Sequence, residues 1–561
     1  MKKYILIGLI IIGLFSCNDA FLERAPMDTL TDANFWQTEE HVKTAANALY
    51  SGLIGMYLLN EFEGMGESAP WAVTSAFRTI GGGNFTTDQS QINTFWVGGY
   101  LNIGQCNYFL ANYNRAKGVS AVIRERYAAE AHFFRAYEYW RLTSLFGDVP
   151  YITNQLNVKS ADVYRGRDKR SIVVDSIAAD LEKTYSNLPA FIAPASAEFG
   201  RITQVAALTL LSRIYLYNGK WNEAANAAKR AMGLGYELYS TGKPNDDYRN
   251  LFNYTGRASR VGANKETILA FVYNFGLGEA ARTAHNLSRS NWVPGDYVRF
   301  IPTKSMIEAY LTADGKIWNQ SSVNTYEGVF ENRDPRMKQS ILPPNTPWEG
   351  LRDGNPNNTN MGMFTYPKFT NDKDGAMTYS GYYMYKYVEP STVGQVNQDD
   401  NDIVIMRYAE VLLNYVEARE RAGSITQATL DSTINLLRDR VGMVHMELNN
   451  LPAGSDIRTE IRRERRVELY FEGHRYFDII RWLEGDRLAE DLLGVNRRWL
   501  DPTKLTPGLL NSLSWKYVGG EQYLIIETGR TFSSPKNYLL PIPFTQSQRN
   551  PNLLPNNPGW D

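Results

Sequence analysis

The spacing of apolar residues divides the chain into two helical stretches with a non-helical stretch between them. From about residue 31 to 240, and again from about 404 to 484, apolar residues recur near every 3.6 positions. The clearest run lies between Arg124 and Phe146, and Gly147-Asp148-Val149-Pro150 follows it as a helix-breaking turn. The pattern therefore predicts a mainly α protein.

Part of the helical pattern is repetitive. Between Gln204 and Met232 it predicts two helices joined at Gly219, and the spacing is typical of a tetratricopeptide-like unit, with apolar and small residues at Leu208, Leu211, Tyr215, Trp221, Ala224 and Ala228. Arg407 to Met443 repeats this outline more weakly, with Gly423 at the turn. Because the units are unevenly spaced, we predict degenerate repeats separated by insertions.

The middle of the chain, from about 241 to 403, is rich in Asn, Gly, Asp, Tyr and Pro and loses helical periodicity except near Thr303 to Leu311. Disordered segments are poor in aromatic residues, whereas this one contains Trp292, Tyr297, Trp318, Tyr326, Trp348, Tyr366, Tyr379, Tyr382 and Tyr383. We predict an ordered, loop-rich region packed on the helices.

The first residues are typical of an export signal. Met-Lys-Lys precedes an apolar run from Ile5 to Phe15, which is too short to span a bilayer. The run ends at Ser16-Cys17, which resembles a bacterial lipobox, so we predict cleavage before Cys17 and a lipid anchor on it; an ordinary signal peptide is the alternative. The predicted divisions are residues 1–16 (signal), 17–240 (N-terminal helical region), 241–403 (loop-rich ligand-binding region) and 404–561 (C-terminal helical and loop region).

Composition excludes several classes of protein. The 561 residues include 59 Lys+Arg and 60 Asp+Glu, so the chain lacks the basic surplus of a general nucleic-acid binder. Two cysteines cannot form a disulfide framework or a four-thiolate zinc site, and we expect Cys106 to be a buried core residue. Aromatic residues make up 13% of the chain.

No enzyme motif is present among those with a clear mechanism, such as a phosphate-binding loop, a zinc-protease helix or a nucleophile elbow. The histidines lack metal-ligand spacing, and Asp399-Asp400-Asn401-Asp402 lacks the spacing of an EF-hand. We therefore predict no enzyme activity, no cofactor and no metal site.

One row of carboxylates needs a separate explanation. Glu460, Glu464, Glu468 and Glu472 recur every four residues on one helical face, and like charges at that spacing repel. We favour a structural ion network, with Arg475 and Arg481 as candidate partners, over the paired acids of a glycoside hydrolase.

Several segments together resemble the SusD/RagB family of nutrient-binding lipoproteins. They lie in family order along the chain: Ala129 to Tyr137 running on to Pro150, Asn332-Arg333-Asp334-Pro335-Arg336, Arg407 to Leu413, Arg463 to Asp478, and Leu540-Pro541-Ile542-Pro543 with Asn550-Pro551-Asn552. Each alone is weak, whereas the ordered set is specific.

The resemblance implies a scaffold of four tetratricopeptide-like units carrying a loop-rich remainder. It further implies a noncatalytic, lipid-anchored protein on the outer face of the outer membrane, which captures oligosaccharides for a SusC-like TonB-dependent transporter. It does not identify the glycan or the residues that contact it.

Sugar chemistry narrows the choice of site, because a sugar ring offers an apolar C–H face and a rim of hydroxyl groups. Two loop segments combine aromatic and hydrogen-bonding side chains: Glu67 to Asp88 and Asn286 to Trp318. We predict ligand contacts from Trp71, Arg78, Asn84, Trp292, Tyr297 and Trp318.

Two alternatives remain open at this stage. One is a peptide-binding uptake lipoprotein of the same fold, and the other is a polysaccharide hydrolase that uses acids such as Asp296 and Asp314. The near-zero net charge favours a neutral glycan over a polyuronate, since an acidic ligand would favour a local Lys/Arg cluster.

Overall fold

The computed structural model describes residues 35–53, 62–278, 298–349, 362–370, 377–392 and 398–560. The predicted signal and Cys17 lie outside these residues. In the N-terminal part the helices are α1 Glu39–Leu49, α2 Ala76–Gly81, α3 Ser90–Asn112, α4 Ala121–Phe146, α5 Arg170–Thr184, α6 Gln204–Tyr217 and α7 Trp221–Met232.

The long helix α4 is the centre of the N-terminal scaffold. It begins three residues before the predicted start because the Ser120 side chain accepts a hydrogen bond from the Ile123 amide and caps it. It ends where predicted, at Gly147, whose φ of 73° is favourable for glycine. Helices α1, α3 and α5 pack on it, so most of its second half is buried.

The predicted repeat between Gln204 and Met232 is confirmed as the helix pair α6 and α7. Gly219 adopts a positive φ at the turn, and small side chains such as Ala224, Ala228 and Ala231 are fully buried where the helices meet. Cys106 is also buried, as expected.

The loop-rich region contains short elements and a core of its own. Its elements are α8 Asp247–Asn250, β1 Thr267–Phe271, α9 Lys304–Ala309, α10 Pro335–Ser340, β2 Thr346–Glu349 and β3 Gly362–Phe364. The core contains many of the aromatic residues that argued for order, including Tyr326, Tyr366, Tyr382 and Tyr383. The short helix predicted near Thr303 is α9.

The C-terminal part returns to helices and then adds a small sheet. Its elements are β4 Ile403–Arg407, α11 Tyr408–Arg421, α12 Gln427–Asp431, α13 Ile434–Val441, α14 Ile457–Glu468, α15 Arg475–Trp482, α16 Asp486–Ala489, β5 Leu492–Asn496, α17 Leu509–Ser512, β6 Trp515–Val518, β7 Glu521–Glu527 and α18 Phe544–Arg549. The weaker repeat predicted after Arg407 is present, but its second helix is split into α12 and α13.

The strands, which the apolar pattern did not predict, connect distant parts of the chain. Antiparallel pairs form between β1 and β4 and between β2 and β3, and β5, β7 and β6 form a three-stranded antiparallel sheet in that order. Helix α11 packs on α7 and α14, so the two helical stretches form one scaffold.

The C-terminal segment closes onto the end of α4. The Leu540 amide donates to the Leu145 carbonyl at 2.7 Å, and the Asn557 side chain donates to the Phe146 carbonyl at 2.8 Å. The predicted fold class, a mainly α helical-repeat scaffold with a loop-rich region, is confirmed. Within the described ranges, no helix has the length and apolar character needed to cross a membrane.

Candidate ligand-binding site

The two loop segments predicted to bind ligand lie side by side. Trp71 and Phe300 form an antiparallel bridge, the Ala72 amide donates to the Arg299 carbonyl at 2.7 Å, and the Thr303 hydroxyl donates to the Glu67 carbonyl at 2.7 Å. Residues separated by more than 200 positions in sequence are thus held as neighbours by hydrogen bonds between backbone groups and by the Thr303 hydroxyl.

Trp71 has a fixed, partly exposed ring. Its indole meets the ring of Phe300 edge-on, with 4.7 Å between centroids, and Phe300 in turn packs on Phe471. Because the indole is held against buried rings, little side-chain entropy remains to be lost when a ligand stacks on its open surface.

Arg78 differs from the expectation. Its side chain is buried and donates to the Glu527 carboxylate at 2.7 Å and to three backbone carbonyls, those of Trp71, Ala72 and Ile526. The guanidinium therefore fixes the Trp71 loop onto strand β7. Arg78 is a buried group that positions this loop, and not the exposed hydrogen-bonding group that the sequence predicted.

Asn84 is exposed, as a ligand contact requires. Its side-chain amide donates to the Gly529 carbonyl at 3.1 Å and accepts from the Thr531 hydroxyl at 2.8 Å. Each amide NH₂ has two hydrogens and each amide oxygen two lone pairs, so Asn84 keeps hydrogen-bonding capacity beyond these contacts.

Trp318 is also partly exposed, but a cation covers part of its ring. The guanidinium carbon of Arg333 lies 3.9 Å from the ring centroid, and the ring of Trp499 lies 5.7 Å away. Burial lowers the pKa of Arg333 to about 10. A ligand can therefore stack on Trp318 only from the side that Arg333 leaves open.

Strand β7 supports both tryptophan loops. Tyr523 donates its hydroxyl to Gln320, two residues beyond Trp318, while Arg78 holds the Trp71 loop to Ile526 and Glu527. Ile526 lies three positions after Tyr523 along the strand, a distance of about 10 Å. The other two predicted contacts, Trp292 and Tyr297, lie outside the described residues, as does Asp296.

A cavity of about 440 Å³ lies beside these loops, between α9 and the β5–β7–β6 sheet. Charged and polar groups line much of it, including Glu67, Lys304, Ser305, Glu308, Asp491 and Lys516. Neither Trp71 nor Trp318 lines this cavity. No sequence pattern indicated it, because its wall combines three separate parts of the chain.

The row of glutamates is confirmed as a structural network. Glu464 and Glu468 are almost fully buried, and their carboxylates pair with the guanidiniums of Arg336, Arg407, Arg438 and Arg440 at 2.5 to 2.9 Å. Burial alone would raise the pKa of Glu468, but the arginines, led by Arg440, hold it well below its usual range. Buried groups of this kind cannot reach a glycosidic bond.

The cations suggested from sequence for this row were wrong. Arg475 pairs with Glu67 at 2.6 Å, and Arg481 pairs with Glu417 and Asp478. The actual partners Arg336 and Arg407 belong to two of the segments that carried the family resemblance. Those segments are therefore needed to neutralise the buried face of α14.

Asp314, one of the two acids suggested for a hydrolase, has the wrong electrostatics for a general acid. Its carboxylate is exposed and lies 2.6 Å from the Lys316 ammonium. The hydrogen bond from Lys316 lowers the pKa of Asp314 to about 2. A glycosidase acid needs a raised pKa, so that it is still protonated when it meets the leaving group.

Comparison with known proteins places this architecture in one family. The profile described as "SusD family" matches residues 261–560, and a second, described as "Starch-binding associating with outer membrane", matches residues 21–216. "SusD-like protein P2" of Formosa agariphila is 25% identical, and the alignment covers 100% of both chains.

Solved structures show the same fold. A SusD-like carbohydrate binding protein from Bacteroides fragilis superposes with a TM-score of 0.76 at 25% identity, covering 93% of this chain and 100% of the other. A laminarin binding SusD-like protein gives 0.63 at 18% identity, covering 93% and 100%. On its sequence and its fold, the chain belongs to the SusD family.

Proposed function

We propose that this protein binds glycans, without cleaving them, on a surface formed by Trp71, Asn84, Trp292, Tyr297 and Trp318. The observation that carries the proposal is the pairing of residues 67–72 with 299–303, which brings the described parts of the two segments chosen for sugar-binding chemistry side by side. The similarity to proteins named for carbohydrate and starch binding supports the ligand class.

The described geometry suits stacking on a pre-placed ring. The Trp71 indole is held by Phe300, and the loop that carries it is held by the four hydrogen bonds of Arg78. Asn84 adds exposed amide groups for sugar hydroxyls. Binding would then depend on aromatic platforms that are ordered before the ligand arrives.

The test of the site uses the mature, soluble protein on a glycan array beside a peptide library, followed by calorimetry on the strongest ligand. We expect Trp71→Ala and Trp292→Ala each to weaken glycan binding about tenfold or more, since an aromatic contact and its buried area are lost. Tyr164→Ala is the matched control, because its ring is exposed but lines a different cavity, with Leu101 and Arg549.

The results of these binding experiments distinguish glycan binding from peptide uptake and from hydrolysis. Binding to peptides with no glycan bound would replace the proposal with the peptide-uptake alternative, and release of free sugar would favour a hydrolase. Glycan binding that neither tryptophan variant weakens would refute the site.

We further propose that the protein is lipid-anchored through Cys17 at the outer face of the outer membrane and passes its ligand to a SusC-like TonB-dependent transporter. The lipobox-like Ser16-Cys17 and the family support this. Palmitate labelling of wild type and Cys17→Ala tests the anchor, protease treatment of intact cells tests the orientation, and co-purification tests the partner. An unlabelled wild-type protein would exclude the anchor.

A further inference from the structure

A second cavity, of about 290 Å³, opens next to the first and is lined by arginines. They are Arg462, Arg463, Arg466, Arg475 and Arg487, contributed by α14, α15 and α16; we call this space the arginine cavity. Its wall also contains the carboxylates of Glu308, Glu484 and Glu490. Ser305 and Glu308 line both cavities, so the two are adjacent.

The cations of this wall share their partners. Glu67 pairs with both Arg466, at 3.0 Å, and Arg475, at 2.6 Å. Glu484 likewise pairs with both Arg462 and Arg487, each at 2.5 Å. Two carboxylates therefore neutralise four guanidiniums.

The other charged residues of the wall only partly offset this excess of guanidiniums over carboxylates. Arg463 has its own partner in Glu460, and Glu308 is already paired with Lys304 at 2.7 Å. Glu490, which also lines the cavity, is exposed. Among the described residues, the wall therefore has more guanidiniums than carboxylates closely paired with them.

Arg466 shows where this charge is concentrated. Only 9% of its side chain is exposed, its Nε donates to Ser68 and its Nη2 donates to Ser305, while its Nη1 has no acceptor among the described residues. Burial lowers the pKa of Arg466 to about 10; Glu67 opposes this effect, and the charges of Arg475 and Arg487 add to it. Arg466 lines the arginine cavity, and a guanidinium with an unused N–H donor is suited to an anion.

The arginine cavity adjoins the proposed glycan surface. Ser68 and Ser305, which Arg466 contacts, belong to the two segments that pair beneath Trp71. Ser68 precedes Trp71 by three residues, which is at most about 10 Å of chain. The arginine cavity and the Trp71 loop are therefore close neighbours.

We infer that the arginine cavity binds an anionic substituent of the glycan, a sulfate ester or a uronic acid carboxylate, and that the natural ligand is an acidic polysaccharide. Guanidinium groups match these planar or tetrahedral oxyanions with paired N–H donors. The inference rests on the proposed function. The near-zero net charge of the chain does not exclude an acidic ligand, because the fold brings five arginines together in one cavity.

The test begins with a glycan array that contains neutral, carboxylated and sulfated members. We expect the strongest ligand to be acidic, and its neutral derivative, made by methyl esterification or desulfation, to bind at least about tenfold more weakly. Comparison of the carboxylated with the sulfated members of the array shows which of the two anionic groups is bound. If no glycan binds, the proposed function fails; if neutral glycans bind as well as acidic ones, only the present inference fails.

Variants locate the anion. Arg487 is 47% exposed, and Glu484 keeps Arg462 as a partner without it, so Arg487→Gln and Arg487→Glu should fold normally. We expect weaker binding of the acidic glycan, by about threefold to tenfold and more for the charge reversal, with binding of a neutral oligosaccharide unchanged. Arg458→Gln, on the solvent side of α14, is the control and should bind like wild type. Equal losses for acidic and neutral ligands, or no loss with Arg487→Glu, would overturn the assignment.

Discussion

The two sides of helix α14 carry similar charges in different surroundings. On one side Glu464 and Glu468 are buried, and guanidiniums from three other elements surround them. On the other side Arg462 and Arg466 share their carboxylate partners with neighbouring arginines and line a cavity.

The difference shows how to distinguish a structural charge from a binding charge. A buried carboxylate that is surrounded by partners has nothing left to offer a ligand, and removing one partner leaves others uncompensated. The arginines of the buried side also share glutamates, but Asp334, Glu266 and Glu472 supply them with further carboxylates. Arg466, by contrast, shares Glu67 with Arg475 and has no second carboxylate partner among the described residues. The pairing, rather than the type of residue, therefore separates the two roles.

The largest expected effect comes from breaking the buried side. Glu468→Gln removes the charge that faces Arg336, Arg407 and Arg440 while keeping the shape of the side chain. We expect the free energy of unfolding to fall by about 3 to 5 kcal/mol, because a buried ion network is left with unpaired cations. Urea denaturation at pH 7 measures the change.

The control for this prediction is Arg458→Gln on the same helix. Arg458 is 49% exposed and pairs with Glu420 at 2.8 Å, so its loss should cost no more than about 1 kcal/mol. Equal destabilisation by the two variants would contradict the distinction between the sides of the helix.

A smaller effect, dependent on pH, is expected from two carboxylates four residues apart. Glu63 and Glu67 are both buried, but Glu67 has two arginine partners. Glu63 accepts one amide hydrogen bond, from Gly473 at 2.8 Å, and its second oxygen has no partner in the part of the chain that the structure describes. Burial raises the pKa of Glu63 to about 7, whereas that of Glu67 lies well below its usual range.

Glu63→Gln should therefore stabilise the protein at high pH. A raised folded-state pKa means that the contribution of Glu63 to stability is complete below about pH 4.5 and is lost as the pH rises through about 7. We expect the variant to unfold like wild type near pH 4.5 and to be about 2 to 3 kcal/mol more stable at pH 8. Glu67→Gln should instead be less stable than wild type at both neutral and high pH. A variant more stable than wild type would show that Arg466 and Arg475 do not require the carboxylate of Glu67.

The sequence predicted the features that depend on nearby residues. Helix α4 and the α6–α7 pair follow from apolar spacing and turn glycines, and the buried face of α14 follows from the helical repeat. Trp71 and Trp318 are partly exposed, as a ligand platform requires.

Features that depend on distant residues were missed. Arg407 lies 61 positions before Glu468, so the true partners of the glutamate row could not be chosen from its neighbours. Arg78 looked like a loop residue open to ligand, but its carboxylate partner lies 449 positions away on β7. The arginine cavity likewise exists only once α14, α15 and α16 are packed together.

The smallest expected effect is the response to salt, and it separates the two sides of α14 directly. Dissolved ions screen exposed or cavity charges much more than buried pairs. Raising NaCl from about 50 to about 500 mM, which shortens the Debye length from about 14 to about 4 Å, should weaken binding of the acidic glycan severalfold while shifting the melting temperature only slightly. Arg487→Gln should bind with a shallower salt dependence, because one screened contact is already gone. If melting temperature and glycan affinity changed in parallel, the arginines of the cavity would be structural groups like the glutamates behind them.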